Sequence, residues 1–144
     1  MFKELFIKHI DENFSFLKDG KSIIAVSGGV DSMVLLHLAQ AVNLKIAVAN
    51  CNFNLRGAES DGDSDFVEEY TDQHSIELFA TSFDTSKFAK EHKLSTQMAA
   101  RELRYFWFEE IRRENNFDYI LTAHHLDDNL ETFLVNLSRG SGID

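Results

Sequence analysis

The sequence predicts an α/β domain: a parallel, twisted sheet with helices on both faces. Three observations predict it. Short apolar runs alternate with longer stretches of helical periodicity, as in successive strand–helix units. The first two runs, Ser22–Ser27 and Leu44–Cys51, are apolar almost throughout, the signature of strands buried on both faces. The 44% apolar content and 13 phenylalanines in 144 residues supply one sizeable core.

The elements follow in order. Phe2, Leu5, Phe6, Ile10, Phe14 and Leu17 recur at helical spacing, so residues 2–17 form an amphipathic helix that Asp19-Gly20 ends. A strand over Ser22–Ser27 leads through two glycines into a helix reaching about Val42. Leu44–Cys51 is the second strand, and Asn52–Ser60 a loop centred on Arg56-Gly57. Ser60 or Asp61 caps a third helix ending near His74, with Phe66, Val67 and Tyr70 inward. Ile76–Phe83 is the third strand. Residues 84–97 are weakly patterned, with a short helix around Ser86–His92. Met98–Arg113 is a strong helix whose apolar stripe is Ala99, Leu103, Phe106 and Ile111, with Arg101, Arg104, Tyr105 and Phe108 opposite. Asp118–Ala123 is a fourth strand and Asp127–Leu137 a last helix. Strand–helix alternation of this kind implies right-handed crossovers, and ligands then sit beyond the carboxyl ends of the strands, where strand order reverses.

The formal charge of −10 sits awkwardly with binding a polyanion unless a local basic patch intervenes. No apolar run approaches the roughly 20 residues of a membrane span, and Asp11, Glu12 and Lys18 break any signal-peptide pattern in the first 20 residues. A single cysteine, Cys51, leaves no internal disulfide and no CxxC pair. These features are simplest in a cytoplasmic protein.

The most informative stretch is Ser27-Gly28-Gly29-Val30-Asp31-Ser32, between strand and helix. Backbone N–H groups at a helix N-terminus hold anions, and glycines let a ligand approach the backbone. Asp31 would repel a phosphate there unless a cation bridged them, so the loop reads as a site for phosphate with a divalent ion. It lacks the Gly-Lys-Ser/Thr ending of a Walker A loop and the spaced glycines of a dinucleotide fingerprint. A second constellation is His124-His125-Leu126-Asp127-Asp128-Asn129-Leu130-Glu131. Each residue alone is ordinary for a helix start. Together, Asp127, Asp128 and Glu131 crowd like charges that call for a metal ion or an ammonium group. His124 and His125 without cysteine partners make a poor zinc signature. In Ala100-Arg101-Glu102-Leu103-Arg104-Tyr105 the two arginines either pair with glutamates in solvent or neutralise phosphate.

SGGVDS at 27–32 resembles the SGGxDS signature of the PP-loop ATP pyrophosphatases, which have a Rossmann-like fold of the adenine nucleotide alpha hydrolase type. With NxNLRGAESD at 52–61, AARELRY at 99–105 and TAHHLDDNLETFLVNLSRGSG at 122–142, most of the chain resembles the tRNA(Ile)-lysidine synthetase family. The resemblance implies a ligase using ATP and Mg2+ in two steps. The wobble cytidine of tRNA(Ile) with a CAU anticodon is adenylated at C2 with release of pyrophosphate, and the ε-amine of L-lysine then displaces AMP. It implies phosphate binding by Ser27, Gly28, Gly29, Val30, Asp31 and Ser32, and metal binding by Asp31 and Asp128. It further implies that Asp128 and Glu131 position metal or lysine, supported by Asp127 and His124, and that Arg101 or Arg104 contacts the reacting centre, which of the two being open. It also implies a single catalytic domain over 1–144, truncated at its C-terminus, without the family's C-terminal tRNA-binding domains. No membrane partner is expected, and oligomeric state, a homodimer included, stays open. Asn50 stands where many relatives carry histidine, so no role follows for it. The competing readings are a tRNA thiolase, against which the lone Cys51 counts, an amide-forming ligase lacking its ammonia supply, and a nucleotide-binding module without chemistry, which would not need three carboxylates.

Overall fold

The computed structural model describes residues 2–54, 58–122 and 137–139. Helix α1 (Phe2–Asn13) is followed by a 3-10 turn (Ser15–Lys18), β1 (Lys21–Ala25), α2 (Val30–Ala41), β2 (Lys45–Asn52) and α3 (Ala58–Gln73). Then come β3 (Glu77–Ser82), α4 (Thr85–Glu91), α5 (Thr96–Glu114), β4 (Tyr119–Leu121) and β5 (Leu137–Arg139). The sheet order is β3-β2-β1-β4-β5. The first four strands pair in parallel, with Ile24 opposite Val48 on one side and Leu121 on the other. Strand order therefore reverses at β1, between β2 and β4.

Alternation along the strands divides the core into two layers. Ile24, Val26, Val48 and Leu121 pack under Leu35, Leu36, Leu38 and Ala39 of α2 and Val67 of α3. Ile23, Ala47, Ala49 and Ile120 face the other way, against Phe108 and Ile111 of α5. Helices on both faces of a parallel sheet are as expected. The α5 layer is the one with small strand residues, Ala25, Ala49 and Cys51, at the carboxyl end of the sheet.

Three details differ from expectation. The first helix stops at Asn13, where the chain tightens into the 3-10 turn that buries Leu17. The sheet gains an antiparallel edge, β5 against β4, and it takes Leu137, which the periodicity assigned to the end of a helix. A parallel neighbour for β4 would require a crossover back to its starting edge, whereas Leu137 stands opposite Leu121 at the end where β4 finishes. The remainder of the expected last helix, 127–136, lies outside the described residues. Lastly, α5 is rotated from the stripe the sequence suggests: Phe106 is 77% exposed while Phe108 is 2% exposed. The buried side of α5 includes Arg112, whose guanidinium donates to Phe117 O at 3.0 Å and pairs with Glu109. A charged residue that buries its stem to close the helix end is invisible to an apolar pattern.

Candidate functional site

β1 ends at Ala25, and the backbone turns through Ser27–Gly29 into α2. Gly28 has φ +96°, open to glycine but strained for other residues, and a Cβ there would lie 3.0 Å from Asp63 O of α3. Gly29 is the N-cap of α2 and offers no side-chain cap, so the first-turn N–H groups are left for an anion. The two serines brace the turn: Ser27 N donates to Ser32 Oγ at 3.2 Å, Ser32 Oγ to Gly29 O at 3.1 Å, and Gly29 N to Ser27 Oγ at 3.2 Å. Ser32 is buried and Ser27 exposed. Of Val30 and Asp31 the backbone alone is described; both lie in the first turn of α2. The strand end is held from β2, because Val26 N donates to Ala49 O at 2.9 Å and Asn50 Nδ2 to Val26 O at 2.8 Å.

The turn opens onto a cavity of about 310 Å³ at the carboxyl ends of β1, β2 and β4. Its floor is Ala25, Ala49 and Cys51, its sides are Ser27, Ser32, Phe53 and Thr122, and its roof is Arg104, Tyr105 and Phe108 of α5. Arg104 Nε is buried without a hydrogen-bond partner, and its guanidinium lies 5.0 Å from the Tyr105 ring centroid. A buried guanidinium donor left unsatisfied beside an anion-binding turn is what an incoming phosphate completes. Burial pushes the Cys51 thiol up to about 12 although the charge of Arg104 pulls it down, so Cys51 is a neutral wall rather than a nucleophile.

A family model described as a PP-loop domain matches residues 2–144. The chain belongs to the PP-loop family. It is 44% identical over 143 residues to a tRNA(Ile)-lysidine synthase of Bacteroides thetaiotaomicron, covering 99% of this chain and 34% of that protein. It is 46% identical over 121 residues to one from Porphyromonas gingivalis, covering 84% of this chain and 27% of that protein. The chain thus spans about a third of the length of the curated relatives it matches. Among solved structures, the U34-tRNA thiolase NcsA of Methanococcus maripaludis shares the fold, with TM-score 0.67 at 22% identity over 88% of this chain and 48% of that one.

Within this PP-loop domain the structure brings together Ser27, Ser32 and Arg104 around one cavity, with Gly28 and Gly29 in the turn beside it that leads into α2. Arg101 is placed differently: it is exposed and lies over the Tyr105 ring at 5.7 Å, and it is not among the cavity's lining residues. Of the expected α5 stripe, Ala99 and Ile111 are buried as expected and Phe106 is not; Phe108 is buried in its place, packed with Ile23, Ala49 and Ile120, and Arg104 and Tyr105 line the cavity beside it. His124, Asp127, Asp128 and Glu131 lie outside the described residues. Among the described residues, no group of three or more His, Cys, Asp or Glu side chains could hold a metal ion. Sequence reasoning missed Asn50, Phe53 and Thr122. The signal for Asn50 was its amide inside an otherwise apolar run, where a buried amide needs a partner. No helix among the described residues is long and apolar enough to cross a membrane.

Proposed function

We propose that this PP-loop domain is the ATP-cleaving catalytic domain of a tRNA(Ile)-lysidine synthetase, a cytoplasmic ligase acting on tRNA(Ile) with a CAU anticodon and on L-lysine. The observation that carries the reading is the convergence of an uncapped helix N-terminus and the unpartnered Nε of Arg104 on one cavity at the point of strand reversal. Relatives named tRNA(Ile)-lysidine synthase at 44% and 46% identity support the choice of substrate. A neutral, lone Cys51 argues against sulfur transfer by a cysteine of this segment.

In this reading the first-turn N–H groups of Val30, Asp31 and Ser32, with the Ser27 and Ser32 hydroxyls, hold the phosphates, and Gly28 and Gly29 give the turn its shape. Arg104, rather than Arg101, contacts the reacting phosphate and stabilises charge as it builds on the leaving pyrophosphate. The cytidine C2 oxygen forms a bond to the α-phosphorus, the bond to the β-phosphate breaks, and pyrophosphate leaves. The lysine ε-amine then attacks C2, its proton is lost, and the C2–O bond breaks to release AMP. Asp31 and Asp128 would hold magnesium, which supplies charge neutralisation between the phosphates. One or two carboxylates completed by phosphate oxygens are the usual magnesium set. Asp128 and Glu131 also position the lysine ammonium, with Asp127 and His124 beside them.

The test is to incubate the chain with tRNA transcript, Mg-ATP and labelled lysine, following pyrophosphate and label separately. Magnesium-dependent pyrophosphate release that requires the tRNA, lost in Asp31→Ala and Arg104→Ala, is the expected result. Absence of magnesium-dependent ATP binding by calorimetry would overturn the reading.

A further inference from the structure

The segment Asn52-Phe53-Asn54 has no part in the chemistry above, yet it is pinned on both flanks by hydrogen bonds. Asn54 takes a left-handed conformation, φ +57°, and its N–H donates to Asn52 Oδ1 at 2.8 Å. Its side-chain Nδ2 donates to Phe83 O at 2.9 Å, and Phe83 N donates to Asn52 O at 2.8 Å. These bonds on both flanks fix the residue between them. Phe53 is backed by Phe83, with ring centroids 5.9 Å apart and planes 24° from parallel, and Phe83 meets the Trp107 edge at 6.3 Å. Phe53 itself lines the cavity. A half-buried ring held this rigidly, its back on aromatics and its other side toward open volume, is a prepared stacking surface.

We propose that Phe53 is the wall against which the base of the bound nucleotide stacks, an inference that rests on the ATP reading above. Direction decides which ring it receives. The phosphate turn lies at the end of β1, in the middle of the sheet, and the cavity extends from it to both sides. The β4 flank, at Thr122, continues in sequence into the carboxylates proposed for the second substrate. The β2 flank ends at Phe53 over a floor of Ala25, Ala49 and Cys51, small enough to leave a flat slot for the purine of ATP. Phe53 makes no contact with reacting atoms in this scheme; it is a positioning and affinity residue.

Calorimetry with Mg-ATP and with Mg-tripolyphosphate, which has the phosphates and no base, separates the wall from the turn. Wild type should bind ATP more tightly than tripolyphosphate. Phe53→Leu should lose about tenfold in ATP affinity and stay within about twofold for tripolyphosphate, while Phe53→Tyr keeps both. Unchanged ATP affinity in Phe53→Leu, or an equal loss for both probes, overturns the proposal. Wild type binding both probes equally overturns it too, and leaves the phosphate turn standing. Wild type binding neither overturns the ATP reading itself.

Discussion

Gly28 shows how much one hydrogen atom in place of a side chain can decide. Its φ of +96° and the 3.0 Å approach of Asp63 O to a built Cβ are independent obstacles to any other residue. Gly28→Ala is expected to cost about 1–3 kcal/mol in urea unfolding and to weaken ATP binding more than Gly29→Ala, whose Cβ meets only Ser27 Oγ at 3.4 Å. Asn50 is the polar counterpart. It is 4% exposed, and its amide is a donor to the Val26 carbonyl at the strand end. Asn50→Ala leaves that carbonyl short of a partner, and a loss of about 1–3 kcal/mol in the denaturation midpoint measures it. Cys51 gives a pH signature. Its folded thiol titrates near 12 against an ordinary value of 9, so the folded chain keeps a proton that the unfolded chain gives up. Stability from this group is complete below pH 9 and declines as pH rises from 9 toward 12. Thermal melts across that range should fall more steeply for wild type than for Cys51→Ala; parallel curves would rule the effect out.

At the scale of elements, four helices end by one device. Asn43, Ser75, Lys93 and Asn116 each take φ between 55° and 61° one residue past the C-cap. In each case the next residue, Leu44, Ile76, Leu94 or Phe117, donates its N–H back to Ala39, Thr71, Ala89 or Arg112. This is the Schellman closure with its apolar anchor, but without its usual glycine. Lys93 is exposed and carries the conformational penalty of a long side chain, so Lys93→Gly should stabilise the domain by about 0.5–1 kcal/mol, read as a higher melting temperature. The same feature explains what was legible. Strands β1, β2 and β4 were readable because buried parallel strands are continuous apolar runs, the half-exposed edge strand β3 from the short apolar stretch Leu78-Phe79-Ala80, and the SGGVDS turn because glycines, a serine and a carboxylate fall at a strand–helix junction. The helix ends near Val42, His74, His92 and Arg113 were legible to within a residue; their left-handed closure was not, since asparagine, serine and lysine replace the glycine that marks it. The rotation of α5 was not readable either. Phe106 and Phe108 are equally apolar, and only the packing of α5 against Ile23, Ala47, Ala49 and Ile120 decides which of them turns inward.

For the whole molecule, the question is how a chain of net charge −10 holds a nucleotide of the same sign. The answer is local: the cavity gathers a helix N-terminus and the Arg104 guanidinium, which act on a bound phosphate at short range, whereas exposed carboxylates farther than about 10 Å are largely screened at moderate salt. The same cavity touches β1, β2, β4 and α5, elements from both sides of the strand reversal and one helix layer. A ligand there is bound only by the assembled fold, so its binding free energy adds to the stability of all of them together. At a hundred times its dissociation constant Mg-ATP should add about 2.7 kcal/mol, seen as one cooperative shift of the melting curve. If Asp31 supplies the bridging cation contact, ATP with EDTA gives a much smaller shift, and Asp31→Ala makes the shifts with and without magnesium equal. An equal shift in wild type with and without magnesium would remove the metal from the phosphate site, while a shift confined to one phase of a split transition would show that the cavity does not span a single cooperative unit.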